Sequence, residues 1–543
     1  MNGCSTSPGW SGRCLSCMLA ATAAAILLVA PAATALGRSG RTSATHSRPF
    51  PQSYNRAYAV AILPDGKIVA VGASECLHTG CNIEWAGTAL ARYLPNGRLD
   101  SSFGRRGRVL TDGGLDPNAA AIQADGKIVA VGEGNLTEFA LARYTRRGRL
   151  DASFGKGGIV DDATLRPECE PWAEAAAVQG DGKIVVTGLC NADDPVNGFF
   201  TARYDNAGRL DPSFGRGGSV LTDFGAGTYA DGLAVAIQPD GKILVGGVVT
   251  AGSPAQDDVA LTRYLPDGRL DPGFGNGGKV FDAPGEASTL ALQADGKIIA
   301  ADGGGVARLE PDGSLDTGFG SGGRVTPGFS FRSLAVQGDG KIVVAGSLQR
   351  GNHYEFALRR YSSNGSSDPD FANGGPVFTR FGKRSSDEAA GVAVQGDGKI
   401  VLAGGTEPRG GLTFEAYLAL ARYTVGGPLD PQFGKAGKVL TDFHRLTGFE
   451  SFSATRTKQG VLLRWRTNWE NGIRGFRLYQ GKLNKPMVRI TRTLIASKGG
   501  ASRGASYSFR DPGTPHAEWR FRFFLEEVRR DGTSFIRGQT PVP

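Results

Sequence analysis

Cysteine and histidine are scarce in this chain, at seven and five of 543 residues. Beyond residue 35 no CxxC pair occurs, and no HExxH or EF-hand ligand series appears, so the usual zinc and calcium signatures are missing there. Helical periodicity is missing as well, which excludes a helical bundle. Two partial motifs fail on context. Gly500-Ala-Ser502-Arg-Gly504 matches a nucleophile elbow but lies in a Gly/Ser loop with no helix after it. Gly273-Phe-Gly275-Asn-Gly-Gly278 matches a dinucleotide fingerprint, yet versions of it recur along the chain, and Val280 stands where a P-loop needs Ser or Thr. No catalytic residue, cofactor or metal site is therefore expected. What is abundant is glycine, 82 residues and about twice its ~7% share, which points to many tight turns.

Residues 18–35 form an Ala-rich apolar run, preceded by Arg13 as the sole charge and ending in Ala33-Thr34-Ala35, a small-residue cleavage pattern. Residues 1–35 read as a secretory signal peptide, with an uncleaved anchor helix as the alternative; Pro31 and the weak apolarity of Ala argue against the anchor. A flexible segment, 36–53, follows. Secretion leaves four cysteines, an even number suited to an oxidising compartment. Two local bridges are expected, Cys76 with Cys81 and Cys169 with Cys190. The location is then secreted or cell surface, and the chain is expected to be a monomer.

The tripeptide Asp-Gly-Lys recurs at Asp65, Asp125, Asp181, Asp240, Asp295, Asp339 and Asp397. Around Asp240, residues 233–238 alternate as a half-buried strand, Pro239-Asp240-Gly241 turns it, and 242–247 form a second strand. Residues 259–264 give a third strand, and Gly277-Gly278-Lys-Val280 opens a fourth. Four short antiparallel strands repeated seven times fit an all-β fold, a seven-bladed β-propeller over 54–443, with a solenoid as the runner-up. Because a Gly-x-Val strand follows the seventh unit and none precedes the first, 439–443 are expected to supply the outer edge of the first blade.

The phrase DGKIVVAG, followed by ALARY, DGxLDxxFG and GGxV, resembles the delta-60 repeat, a family of bacterial secreted and surface proteins. The resemblance spans about 54–443 and implies a β-propeller without implying a defined reaction. The fifth unit is short and has Leu309 in place of Tyr, and the sixth reads Ser367-Asp368 and Phe371-Ala372 where others have Leu-Asp and Phe-Gly.

Every unit carries an Arg at the end of its third strand and an Asp eight residues later, from Arg92 and Asp100 to Arg422 and Asp430. A residue required in all seven units holds blades together, so a bidentate Arg–Asp pair within each blade is expected, with the repeated Phe packed between blades. The lysines of the turns, Lys67 to Lys399, ring one end of the channel, each neutralised by the Asp two positions before it.

Specific function should sit in the variable loops. Aromatic and acidic residues there, Trp85, Trp172, Asp193, Asp194, Asp257, Asp258, His353, Tyr354 and Tyr417, are candidate ligand-binding residues and suit sugar recognition. Past a linker, 444–450, composition changes: 444–543 hold 19 Lys and Arg against 7 Asp and Glu, net +12. Strand patterns over 451–543 fit a β-sandwich that resembles a fibronectin type III-like domain, which implies adhesion or spacing. Arg477, Arg520, Arg522 and Arg537 are expected to form a basic sheet face that binds a polyanion. The chain reads as a non-enzymatic binding protein whose partner is a glycan, a cell-wall polymer or another surface protein; nucleic acid and a membrane span are not expected. The alternative is an extracellular carbohydrate-active enzyme with its acids on the loop face.

Overall fold

The computed structural model describes residues 54–75, 87–111, 115–134, 139–161, 170–191, 198–225, 228–251, 256–302, 304–408, 416–443, 449–467, 473–482, 488–499, 505–511, 521–529 and 534–541. The signal peptide 1–35, the segment 36–53, Cys76, Cys81, Cys169, Trp85, Asp193, Asp194 and Arg520 lie outside the described residues, as do the side chains of Arg522 and Arg537.

Each Asp-Gly-Lys unit folds as four antiparallel strands in chain order. The fourth unit is representative, with strands Tyr229–Ile237, Ile243–Ala251, Gln256–Tyr264 and Lys279–Pro284. The turn between its first two strands is closed from Gln238 N–H to the Lys242 carbonyl at 2.8 Å, with Gly241 at φ +83° and Asp240 Oδ1 accepting from the Lys242 amide. Gly supplies the left-handed φ, and Asp folds the chain back on its own backbone, which is why Asp-Gly-Lys recurs. The third strands are buried end to end in the ALARY segments, for example Gly87–Tyr93.

The first strands of successive units touch one another all the way round, and that of the first unit also touches that of the seventh, Ser385–Val394. A second circuit is made by the backbone. The amides of Gly104, Gly155, Gly215, Gly275, Gly320, Ala372 and Gly434 donate to the carbonyls of Arg147, Ala207, Asp267, Asp312, Asn364, Gly426 and Asn96 at 2.7–2.9 Å, each reaching the next unit and the last returning to the first. The protein is all-β and propeller-like.

One expectation is overturned. The strand after the seventh unit, Lys438–Thr441, pairs with Tyr417–Tyr423 of its own unit and does not complete the first blade. The first unit already owns a fourth strand, Arg108–Thr111. The strands are in phase with the units because the Leu-Asp-x-x-Phe-Gly segment folds each fourth strand straight back onto its own third: Asp100 N–H bonds to Arg92 O, and Arg92 N–H to Gly107 O.

Beyond the ring, two sheets form. Phe449–Thr457, Gly460–Thr467 and Ser506–Asp511 make one, and Ile473–Lys482, Phe521–Arg529 and Ser534–Pro541 are the long strands of the other. They share a core in which Trp465 stacks on Tyr507 at 5.0 Å between ring centroids and Phe476 meets both rings.

Candidate functional site at the mouth of the ring

The repeated charged residues are structural. In each unit the Arg bonds its Asp at 2.6–2.9 Å, from Arg92–Asp100 to Arg422–Asp430. The contact falls on one carboxylate oxygen, Oδ2, instead of the bidentate pair expected. The other oxygen is already occupied, accepting the amide two residues on, as Asp211 Oδ1 does from Ser213. The guanidinium lies 4.5–4.8 Å over the Phe of the same unit, from Phe103 to Phe433. Its remaining arm crosses to the next unit, as Arg203 does to Pro266 O and Arg422 to Pro95 O. The seven turn lysines also reach these Asp carboxylates, at 2.7–3.6 Å, so that end of the channel carries compensated charge.

The opposite end differs from unit to unit. A register slip puts one extra residue in the first strand: Tyr58, Asn118, Leu233, Arg332 and Ala390 occupy it in units one, two, four, six and seven. Glu174 is the equivalent residue of unit three by its place ahead of the Asp181 turn, and its N–H bonds to Thr187 O. A bulge re-aims its side chain out of the ladder, so the same backbone presents different chemistry in each sector. Two residues earlier stand Arg56, Asp116, Trp172, Asp231, Ser330 and Glu388. Their carbonyls press on glycines of the second strands, Gly72 to Gly404, where a Cβ would land 1.8–2.2 Å away.

In units one and seven this mouth is neutralised by an Arg56–Glu388 ion pair. Across units two to five it is acidic. Glu174 is 8% exposed, and its Oε2 is buried with no hydrogen-bond partner among the described residues; the same is true of Asp231 Oδ1 and Trp172 Nε1. Burial, then the negative charges of Asp231 and Glu133, push the Glu174 carboxyl well above the usual range. Burial, then Glu286, push Asp231 up to about 7. Tyr229, 41% exposed, has its phenol pushed up to about 12 by burial and by Asp231, Glu174 and Asp257, which places the ring among these acids. Glu286 is also raised, by burial with Asp257, against the pull of Arg332. Leu189 of unit three pairs with Asp231 of unit four, the one backbone ladder contact between those two sheets. Among the described residues no group of three or more His, Cys, Asp or Glu is placed to hold a metal ion.

Of the expected ligand residues, Trp172 and Asp257 belong to this mouth. Asp258 is half-buried beside Asp257, opposite Val249. His353 and Tyr354 sit instead in the hairpin of unit six, where Glu355 gathers Arg350 at 3.2 Å, His353 at 3.5 Å and Arg380 at 3.7 Å. Tyr417 opens the third strand of unit seven, paired with Thr406. Glu174, Asp231 and Glu286 were not singled out from the sequence. The available signal was positional: Asp231 and Glu286 fall in one variable column just ahead of each alternating first strand, and Glu174 in the bulge column two residues later.

Cys190 is buried. In the second domain Arg477 is held by Glu526 at 3.4 Å, and Tyr479 also donates to Glu526 at 2.7 Å, so Arg477 is not part of an uncompensated basic face. Arg464, Arg466 and Arg510 are exposed instead on the outer face of the other sheet, where Ser453 and Ser508 flank Arg464.

Five segments of the ring, 123–154, 179–214, 238–274, 293–319 and 337–371, match the family described as "Domain of unknown function (DUF5122) beta-propeller". No curated protein matches the chain. Among solved structures it is similar to a polysaccharide lyase, an ulvan lyase bound to a GlcA–Rha3S saccharide, at 14% identity and a TM-score of 0.38 over 66% of this chain and 90% of that one. It is also similar to Sqt1 of Chaetomium thermophilum bound to the N-terminus of ribosomal protein L10, at 12% identity and a TM-score of 0.36 over 65% and 94%. An endo-arabinase from Bacteroides thetaiotaomicron is 11% identical with a TM-score of 0.28 over 54% and 88%. Likenesses this distant say nothing of the ligand.

Proposed function

We propose that the chain is a secreted or cell-surface, non-enzymatic binding protein: a seven-bladed β-propeller that docks a saccharide at its acidic mouth, followed by a fibronectin type III-like β-sandwich. The seven four-stranded units and the bond from Gly434 to Asn96 support the blade count. The observation that carries the docking site is the set of buried, unpartnered polar atoms on Trp172, Glu174 and Asp231 beside the exposed ring of Tyr229. Polar atoms buried without partners cost stability, so they mark a place where a ligand's hydroxyls supply the missing bonds, while an aromatic face takes the apolar side of a sugar ring. A glycan array with the full mature chain tests this: binding that is saturable and lost in Tyr229→Ala supports it, and an array without signal removes it.

The net charge of +12 over 444–543 supports a tether to an anionic wall polymer or acidic glycan, with Arg464, Arg466 and Arg510 as its exposed face. Cys190 is proposed to pair with Cys169. Pro171 lies directly opposite Cys190, and Cys169 precedes that strand by one residue. One observation favours the enzymatic alternative: Glu174 and Asp231 come from neighbouring units, and the charge of Asp231 adds to burial in raising Glu174's hold on its proton, as in an acid–base pair. Product formation that disappears in Asp231→Asn would establish that reading over the first.

A further inference from the structure

We infer that the mouth of the ring recognises amino sugars, seating a protonated amine between the carboxylates of Glu174 and Asp231. The inference rests on the reading that a saccharide docks here and narrows its chemistry. A neutral sugar offers hydroxyls, which both donate and accept. Among the described residues the buried atoms here that lack partners are, with the two carboxyls ionised, mainly acceptors, Glu174 Oε2 and Asp231 Oδ1, with the indole N–H of Trp172 as donor. A ligand matching them must bring more donors than acceptors at that point, and an ammonium group brings three donors and no acceptor.

Charge leads to the same chemistry. Glu133, Glu174, Asp231, Asp257 and Glu286 gather in this sector, and Arg332 faces Glu286. With a neutral ligand the crowded acids stay protonated to avoid their mutual repulsion, whereas a cation lets them ionise and supplies the compensating charge. The spacing of the two central carboxylates is set by backbone. Leu189 is paired with Asp231, a Cβ on Gly232 would meet Thr187 Oγ1 at 2.6 Å, and Glu174 N–H is bonded to Thr187 O at 2.9 Å. Glu174 and Asp231 therefore flank one short stretch, 187–189, and a single cation can be shared between them. Tyr229, exposed beside both, offers its ring face to the cation and to the sugar.

The test is calorimetric titration of the full mature chain with the hexamer of β-1,4-glucosamine and with its fully N-acetylated counterpart, at about pH 6.5. The two probes share backbone and length and differ in the ammonium group. The expected result is that the free amine binds tighter by about tenfold or more, and that Glu174→Gln and Asp231→Asn each abolish the preference. Thermal unfolding of both variants checks that they fold, and the comparison of the two hexamers on the unaltered protein needs no variant at all. Equal or tighter binding of the N-acetylated hexamer overturns the inference and leaves saccharide docking standing. Failure of both hexamers while other glycans bind also overturns the inference alone, whereas failure of every glycan removes the docking reading with it.

Discussion

The amide of Gly434 donates to the carbonyl of Asn96 at 2.9 Å, joining the seventh unit to the first through the same bond that joins Gly215 to Asp267 in mid-chain. The closing boundary is also reinforced by Tyr93, whose hydroxyl meets Thr441 at 2.6 Å, as Tyr264 meets Thr222. Closure therefore needs no special device, because the seam repeats an ordinary boundary.

If the seam is equivalent to the other boundaries, removing its arginine costs what removing any other costs. Arg422→Ala leaves Asp430 buried without its principal partner and is expected to lose about 3–5 kcal/mol, within about 1 kcal/mol of Arg203→Ala. Urea unfolding of the two variants measures this. A much smaller loss for Arg422→Ala would mean that the ends are not joined in solution.

The residue that donates the boundary bond has a positive φ in every unit, from +49° to +56°, and in six of them it is glycine. Ala372 is the exception, at φ +49°. A left-handed alanine costs about 1 kcal/mol, so Ala372→Gly is expected to stabilise the protein by about that amount. A rise in the urea midpoint with an unchanged slope is the signature; a fall would show that the sixth unit has adapted its turn to the methyl group.

The repeat made most of the ring legible in the sequence, because hairpin turns of Asp-Gly-Lys and alternating strands are local properties. The strand phase was misjudged because counting Gly-x-Val segments from the first visible strand ignores which third strand each one folds onto, a matter of backbone bonds such as Asp100 to Arg92. The mouth was half legible. Trp172 and Asp257 stand out as unusual residues, but Glu174 and Asp231 look like ordinary polar positions until the bulge and the pairing of Leu189 with Asp231 bring them together. The partner of Arg477, Glu526, lies on the adjacent strand, Phe521–Arg529, a pairing that sequence spacing does not reveal.

Stability should pass through a maximum in mildly acidic solution. Asp151 shows the lower limb: burial pushes its carboxyl up, but Ser153, Lys127 and Arg143 more than offset that and hold it at about 2. A folded value below the unfolded one means that this stabilisation is present above about pH 4 and is lost as pH falls toward about 2. Asp231 shows the upper limb. Its folded value of about 7 exceeds the unfolded one, so the native state holds a proton that the unfolded chain releases, and stability falls as pH rises from about 4 through about 7. Melting temperatures across pH 3–9 are expected to trace that dome.

Asp231→Asn removes the upper limb at its source. The variant is expected to melt at the same temperature as the parent near pH 4 and at a higher one near pH 8, by about 1–3 kcal/mol of stability. Equal melting at both ends would show that Asp231 is solvated and not confined in the mouth.

In the second domain, Trp465→Ala deletes the ring stacked on Tyr507 and should cost about 3–5 kcal/mol. Calorimetry is expected to show one transition moving down while the transition of the ring stays in place. A single transition that moves as a whole would mean that the two parts unfold together.

Since each unit keeps all four of its strands and the seam matches the other boundaries, the polypeptide has no privileged place to be cut. Circular permutants opened at different linkers, with 443 joined back to 54, would each leave every sheet whole. Sectors of the mouth could then be exchanged or reordered like cartridges without disturbing the framework that holds them.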